Sequence, residues 1–387
     1  MYYISRIFGT ITLAALGTAV WFSIVLARAD YYFRNEKVQR AMEIAPRTTE
    51  YLALRALQLD YEGGDSRELS QKIAALNPYS SAPRIRLGLA AEVLGDSASA
   101  QRWLLEAANV DHQFEPRWTL ANFYFRAGNK EEFWRWMRAA LEVSYGDRAP
   151  AFDLCWRASN DAGEILRRGI PDRHEVIGSY LVYLLQKKPT ESRLPPGMAA
   201  LQDGIAGLAR RLAAYHDAAD LPLLLGACDR LIADRNGAAV DVWVLTGYTM
   251  PVGVFNGDFS TEPLNHGFDW RTIESPGVTH LGHRIALSGQ QGESCSLLEQ
   301  TLSLDAGKRY RLQWEARTVG IKSPSGLEWR VAGQRAALLP SADWAPGELA
   351  IKAEDRFQIL ELVYRRPLGE SRAEGSVELR HIRLVAP

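Results

Sequence analysis

The amino-acid sequence predicts a multidomain chain: an N-terminal transmembrane helix, an all-α helical repeat domain, and an all-β sandwich at the C-terminal end. Three observations predict this order. A long uncharged segment opens the chain, a stretch of sequence recurs at a shift of 33 residues, and apolar residues alternate with polar ones after residue 252. The predicted domains are residues 1–29 for the membrane segment, 30–150 for the repeats, 151–250 for further helical hairpins of degenerate repeats, and 253–387 for the sandwich.

The first predicted element is a membrane-spanning helix. Ile7 to Ala27 is 21 residues long, carries no charge, and lies between Arg6 and Arg28. At ~1.5 Å per residue this segment spans a hydrocarbon core of ~30 Å. A cleaved secretory signal is the alternative, because Ala27-Arg28-Ala29 has the small-x-small form of a cleavage site. We predict an uncleaved signal-anchor that contacts the membrane through residues 7–27.

Composition and charge exclude several classes of function. The 387 residues include 45 basic and 46 acidic side chains, so no excess of positive charge predicts binding to nucleic acid. The three cysteines are scattered, with neither zinc-ligand spacing nor a disulfide framework. There is no phosphate-binding glycine loop, nucleophile elbow or His-Glu-x-x-His motif. We therefore expect no metal, no cofactor and no enzymatic activity.

The second predicted element is a helical repeat. The residues that coincide at the shift of 33 are Pro83 with Pro116, Leu87 with Leu120, Gly95 with Gly128, Trp103 with Trp136, and Ala107 with Ala140. A period near 34 is typical of helix–turn–helix arrays, in which each unit needs its neighbours to bury its apolar face. Both units resemble the tetratricopeptide pattern, and weaker units precede and follow them. An unrelated helical bundle with a chance sequence echo is the alternative.

The tetratricopeptide resemblance implies a binding groove for a protein partner. In such units one face of the first helix lines a concave surface. In the second matched unit, that face carries Trp118, Asn122, Phe125 and Arg126. An aromatic, an amide and a guanidinium suit an extended peptide or a partner helix. The alternative is that the helices of residues 150–230 cover this groove.

Strand-like alternation marks the third element. Tyr310 to Arg317 has an apolar and a charged face, Leu327 to Val331 alternates in the same way, and Ile359 to Tyr364 predicts a more buried strand. About eight such strands in the last third of the chain predict a two-sheet sandwich.

The sandwich segment resembles the jelly-roll carbohydrate-binding modules of bacterial glycanases and the wider galactose-binding-like sandwiches. The resemblance rests on Asn256-Gly257-Asp258-Phe259, on Gly267-Phe268-Asp269-Trp270, on the stretch Gln300 to Leu312, and on the closing stretch Val377 to Leu384. In that family acidic residues in the closing strand often help to hold calcium. Arg380 and His381 occupy those places here, so we expect no calcium.

If the resemblance extends to function, the polar strand face binds a glycan. The residues it implies are Trp270 and Trp344 for stacking, with Gln313, Glu328 and Arg330 for hydrogen bonds to hydroxyl groups. Trp314 and Trp329 alternate with the polar residues and are predicted to be core. Core positions are also the alternative for Trp270 and Trp344.

Together these features predict a non-catalytic, membrane-anchored scaffold or binding protein of the cell envelope, accessory to surface polysaccharide synthesis or export. The predicted location is the inner membrane, single-pass, with the body outside the cytoplasm. One signal opposes this orientation, because Arg28, Arg34, Lys37 and Arg40 would favour a cytoplasmic body. Two alternatives stay open: a purely structural assembly factor whose sandwich packs on the helices, and an enzyme with two convergent carboxylates.

Overall fold

The computed structural model describes residues 2–186, 196–250 and 253–385. Outside the described residues lie positions 1, 187–195, 251–252 and 386–387. The predicted domains include all of these positions except 251–252. Contacts divide the chain into two compact units, Met1–Ala151 and Phe152–Pro387. The helical segment after residue 151 therefore groups with the sandwich.

The first unit begins with one long helix, α1 (Tyr2–Arg34). Its segment Ile11–Arg34 has a mean hydropathy of 1.7 and is long and apolar enough to cross a membrane. The helix continues without a break into the repeat domain. There Ala29 is fully buried and clusters with Ala41 and Tyr51.

Helical hairpins follow α1. The helices are α2 (Val38–Ile44), α3 (Thr49–Tyr61), α4 (Arg67–Leu76), α5 (Ala82–Val93), α6 (Ser97–Val110), α7 (Phe114–Arg126), α8 (Lys130–Glu142) and α9 (Ala149–Ala158), the last of which crosses the unit boundary. The turns of the two matched units are built alike. Gly95 and Gly128 have φ of 80° and 71°, and the following Asp96 and Asn129 accept a backbone N–H at the start of the next helix.

The helical part of the second unit contains α10 (Ala162–Arg168), α11 (His174–Gln186), α12 (Pro196–Ala213), a 3₁₀ turn (Ala218–Asp220), α13 (Leu221–Ala233) and α14 (Ala238–Leu245). Their apolar faces are buried around Tyr180, Leu184, Ile205 and Leu231, all of which are inaccessible to solvent. These helices lie between the repeats and the sandwich in the sequence.

The sandwich consists of two antiparallel sheets, which confirms the predicted all-β jelly-roll fold. Its strands are β1 (Arg271–Thr272), β2 (Val278–Leu281), β3 (Arg284–Ser288), β4 (Ser294–Ser303), β5 (Arg309–Val319), β6 (Leu327–Val331), β7 (Gln334–Ala337), β8 (Ala345–Lys352), β9 (Phe357–Arg365) and β10 (Glu374–Val385). We call the sheet β1-β4-β9-β6-β7 sheet A and the sheet β2-β3-β10-β5-β8 sheet B.

The inner faces of both sheets form one apolar core. Leu362 and Trp329 contribute from sheet A, and Leu312, Trp314 and Leu379 contribute from sheet B. Trp314 and Trp329 are 5% and 0% exposed, which confirms their predicted core positions. Side chains alternate along each strand, so the polar residues between these positions face outward.

Candidate ligand-binding face

The structure divides the residues predicted to bind a glycan among three places. Trp270 is in the sandwich core with 0% exposure, and its indole N–H donates to the carbonyl of Asn256 at 3.1 Å. A ring enclosed in this way cannot stack on a sugar, so the interpretation of Trp270 as a stacking residue is wrong. Phe259 stacks on it at 5.5 Å between ring centres. Trp270 is a structural residue.

Glu328 and Arg330 lie on a different sheet from Gln313. Both are on β6 of sheet A, where the Arg330 Nε donates to the Glu328 carboxylate at 2.6 Å. Gln313 is on β5, and its partner in sheet B is Arg383 of β10, whose Nε donates to it at 3.1 Å. The expectation that all three line one surface is therefore wrong, because the strand order places β5 and β6 in opposite sheets.

The outer face of sheet B carries two parallel ion pairs. Arg317 of β5 donates through Nε and Nη2 to one oxygen of Glu378 on β10, at 2.7 and 2.6 Å. Arg380 of β10 donates in the same way to Glu315 of β5, at 2.8 and 2.7 Å. Each pair crosses between adjacent strands, so together they fix four long side chains against the sheet.

Trp344 lies over these ion pairs. The guanidinium carbons of Arg380 and Arg317 are 4.1 and 5.0 Å from the centre of its ring. Both distances are within the range of cation–π contact. The ring is nevertheless only half-buried. Trp344 is therefore an ordered aromatic surface. It contacts two guanidinium groups, and each of these is fixed in turn by an ion pair with a glutamate.

A β-bulge reshapes sheet B beside Trp344. The register of β10 against β5 shifts between Arg380 and Arg383, and His381 has a φ of 52°. The backbone N–H of His381 donates to Asp258 at 2.8 Å, and its ring lies 3.5 Å from Glu315. A left-handed backbone is uncommon for a non-glycine residue. The bulge leaves the imidazole exposed, beside Glu315 on the outer face of sheet B.

An open cleft of about 570 Å³ lies on this same face. Gln313, Glu348, His381 and Arg383 line it with planar polar groups, and Pro346 adds an apolar wall. Trp344 immediately precedes β8, and Pro346 lies opposite the outward-facing Glu315 in the strand register. A partly exposed aromatic on the same face as planar hydrogen-bonding groups suits the two kinds of surface that a sugar ring presents, which are apolar C–H and polar hydroxyl.

The carboxylates near this cleft are poorly suited to acid–base catalysis. The hydrogen bond from Arg380, assisted by His381, lowers the pKa of Glu315. Glu348 lies 3.5 Å from the Arg311 guanidinium. A glycosidase needs one carboxyl group whose pKa is raised, so that it can donate a proton near neutral pH. The lowered pKa of Glu315 is the opposite of what such a proton donor requires.

The predicted groove residues of the repeat domain lie on one helix, α7. Trp118 is half-buried and stacks on Phe114 with ring centres 5.8 Å apart, and the Asn122 amide donates to the Trp118 carbonyl at 2.9 Å. Phe125 packs against Phe133 at 5.7 Å.

Arg126 joins this helix to the preceding repeat. Its Nε and Nη2 each donate to Glu92 of α5, both at 2.7 Å. Glu92 lies on the first helix of the preceding unit, so this ion pair joins the first helices of the two matched units. Whether this surface binds a partner stays a prediction.

Sequence reasoning missed the link between the helices and the sandwich. Asp229 of α13 accepts from the Arg271 guanidinium at 2.6 Å and from the Gly267 backbone N–H at 2.7 Å, and its other oxygen contacts His266. Gly267 also lies against Trp243 of α14, because a Cβ there would fall 2.4 Å from two ring atoms. No periodicity marks these contacts, since they join distant loops and helices.

Comparisons with known proteins include distant likenesses to solved structures. No family model and no curated protein sequence matches the chain. A CBM4 structure shares 13% identity, covers 35% of this chain and 99% of its own length, and has a TM-score of 0.26. PilW, a widely conserved type IV pilus biogenesis factor, shares 11% identity over 57% of this chain and 90% of its own, with a TM-score of 0.27. Scores this low carry no argument about function. The chain thus resembles both proteins only distantly.

Proposed function

We propose that this chain is a non-catalytic, membrane-anchored binding protein that holds a glycan along the outer face of sheet B. The observation that carries the proposal is Trp344, a partly exposed ring held against the Arg317 and Arg380 guanidiniums on the same face of sheet B as an open polar cleft. An aromatic that serves only the core is normally enclosed by apolar neighbours, as Trp270 is. A ring ordered on charged groups at the surface costs little entropy when a ligand stacks on it.

The anchor is part of the proposal because α1 is continuous with the repeat domain. A secretory cleavage at Ala27-Arg28-Ala29 would cut inside this helix. Because such a cleavage falls after Ala29, it would also remove Ala29 from its buried packing against Ala41 and Tyr51. An uncleaved helix keeps that packing and ties the body to the membrane. In this proposal the body lies outside the cytoplasm, at the inner membrane, where a surface polysaccharide passes.

The repeats supply the second half of the proposed role, which is to dock a protein of the polysaccharide synthesis or export machinery. The α7 face offers the half-exposed Trp118 and Phe125, and the neighbouring α5 offers Leu89, which is 39% exposed. Aromatic and aliphatic side chains beside a charged pair are the usual anchors of a peptide or helix partner. A photo-crosslinking residue at position 118 tests this role in cells. Adducts with an envelope protein support it, and a complete lack of adducts contradicts it.

The glycan proposal is tested on the full-length chain in phosphatidylcholine nanodiscs, which avoid detergents with sugar headgroups. The chain is screened against a polysaccharide array and the producing cell's own exopolysaccharide. We expect micromolar or tighter binding, weakened at least ~10-fold by Trp344→Ala because the stacking surface is lost. Trp136→Ala is the matched control, since Trp136 also lies under a guanidinium, at 5.0 Å, but in the repeat domain. Equal binding by the wild type and Trp344→Ala would remove this face from the proposal.

A second function, a purely structural assembly factor, is favoured by one observation. The sandwich is joined to α13 and α14 through Asp229 and through the aromatic contacts of Trp243 with Phe255 and Phe268, at 5.2 and 5.9 Å. A domain fastened in this way can act as a rigid spacer without a ligand. No binding to any polysaccharide by the folded chain would favour this function.

A further inference from the structure

A second cleft, of about 660 Å³, opens at the other end of sheet B. Its floor includes the small side chain of Ser376. Ser376 of β10 lies between Ala286 of β3 and Val319 of β5 in the strand register. The loops of residues 320–325 and 367–373 form its walls. Small side chains at the centre of the sheet face, with loops rising on two sides, leave room for a ring-sized ligand.

The floor of this cleft holds an unpartnered hydroxyl group. Ser376 is 2% exposed, and within the described residues its Oγ makes no hydrogen bond. Buried polar atoms in folded proteins nearly always have a partner, so an exception requires an explanation. Because Ser376 faces the cleft, a ligand hydroxyl or carboxylate can supply the missing bond.

Cationic side chains surround the opening. Arg284 and Lys322 are exposed, and in the part of the chain that the structure describes neither forms an ion pair. Arg372 also lines the cleft and forms an ion pair with Glu293 at 3.9 Å. Arg284 and Lys322, which have no such acid partner among the described residues, are suited to bind an anionic group on a ligand.

Two carboxylates, those of Glu370 and Glu374, line the same cleft. They would repel a bare inorganic anion such as phosphate or sulfate. They accept hydrogen bonds from hydroxyl groups, however. A ligand that carries one carboxylate and several hydroxyls on the same ring satisfies both sets of residues. A uronate sugar has this composition.

The two clefts lie on one side of the sandwich. Ser376, Glu378 and Arg380 follow one another on the outer face of β10, and Arg383 lies in the first cleft beyond the bulge. From Ser376 to Arg383 the strand extends about 23 Å, at about 3.3 Å per residue. This length exceeds one sugar ring, so a single linear chain can reach both clefts and pass Trp344 between them.

We propose that the cleft at Ser376 is a subsite for a uronate residue, so that the glycan held along sheet B is an acidic polysaccharide. The inference rests on the proposed function and adds the chemical class of the ligand. In the bound state Arg284 and Lys322 donate to the uronate carboxylate. Ser376 hydrogen-bonds to the ring substituents, and Glu374 accepts from a hydroxyl.

The test uses the full-length chain in nanodiscs and three polyuronates: polygalacturonate, polymannuronate and polyglucuronate. Each is paired with its carboxyl-reduced form, which keeps the backbone and loses the charge. The variant is the double substitution Arg284→Gln and Lys322→Gln. Arg335→Gln is the matched control, because Arg335 is an exposed arginine on β7 of sheet A. Affinities are measured by calorimetry at fixed ionic strength.

We expect at least one polyuronate to bind at least ~10-fold more tightly than its reduced form. We expect the double variant to lose this preference, and Arg335→Gln to keep it. If charged and reduced polymers bind equally well and Trp344→Ala still weakens binding, the uronate subsite is overturned and the proposed function stands. No binding to any of the six polymers or to the array would overturn both.

Discussion

The link at Asp229 allows the most quantitative prediction about this chain. Asp229→Ala removes the acceptor of the Arg271 guanidinium and of the Gly267 N–H. The side chains of Arg271 and Asp229 are 27% and 29% exposed, so the pair is largely but not fully desolvated. Removing one partner of a fully buried pair costs ~3–5 kcal/mol, and the partial exposure reduces this to about 2–4 kcal/mol for the pair and the amide together.

Hydrogen exchange measures this change within the second unit alone. The slowest amides of β5 and β9 exchange by opening of the unit that contains α13 and the sandwich. At 1.4 kcal/mol per factor of ten, Asp229→Ala should accelerate them roughly 30- to 700-fold. Asp241→Ala is the matched control on α14, because its pair with Arg210 is 55% and 62% exposed and should change exchange by less than ~5-fold. Wild-type exchange rates in Asp229→Ala would show that this ion pair and its amide hydrogen bond do not stabilise the unit.

Three further predictions concern packing and charge. The pKa of Glu361 is raised, first by burial and then by the carboxylate of Glu299, which lies opposite it on the neighbouring strand β4. Its ionised form therefore destabilises the fold above that pKa. Glu361→Gln should therefore raise the melting temperature at pH 7, with the gain disappearing as the pH falls to the unfolded value of ~4.3. A constant gain across this range would contradict the assignment. Gly88→Ala places a Cβ 2.7 Å from two carbons of Leu104, so we expect the free energy of unfolding to fall by about 1–3 kcal/mol. Hydrogen exchange of the α5 and α6 amides measures this loss. Unchanged exchange would show that Leu104 moves aside at no cost. Trp270→Ala should lower the free energy of unfolding of the sandwich by about 3–5 kcal/mol, measured by urea unfolding, and should leave the glycan affinity of the folded protein unaltered. A loss of affinity without a loss of stability would restore Trp270 to the binding site.

Periodicity predicted the elements of this fold because each repeats a local rule. The shift that pairs Gly95 with Gly128 reflects a turn that needs a left-handed residue followed by a helix cap, and both turns are built that way. Alternation in Tyr310 to Arg317 likewise reflects the two-sided environment of β5. Both patterns are visible in a single stretch of sequence, so no knowledge of distant contacts is needed.

The candidate site could be predicted only in part, because it depends on which strands become neighbours. Alternation shows that Gln313 and Glu328 face outward, but strand order alone places them on opposite sheets. Trp270 follows a glycine-containing stretch that is typical of a loop, and only the tertiary fold encloses it. The setting of Trp344 depends on ion pairs between β5 and β10, more than 60 residues apart.

The proposed function requires that the ligand covers sheet B and not sheet A, and a hydrogen-exchange footprint of the bound chain distinguishes the two sheets. The full-length chain in nanodiscs is compared with and without the tightest-binding polysaccharide from the array. We predict slower exchange in residues 313–317, 344–348 and 378–383, with no change in residues 328–331 and 359–363. Protection confined to the two segments of sheet A, or to the helical repeats, would contradict the proposed function.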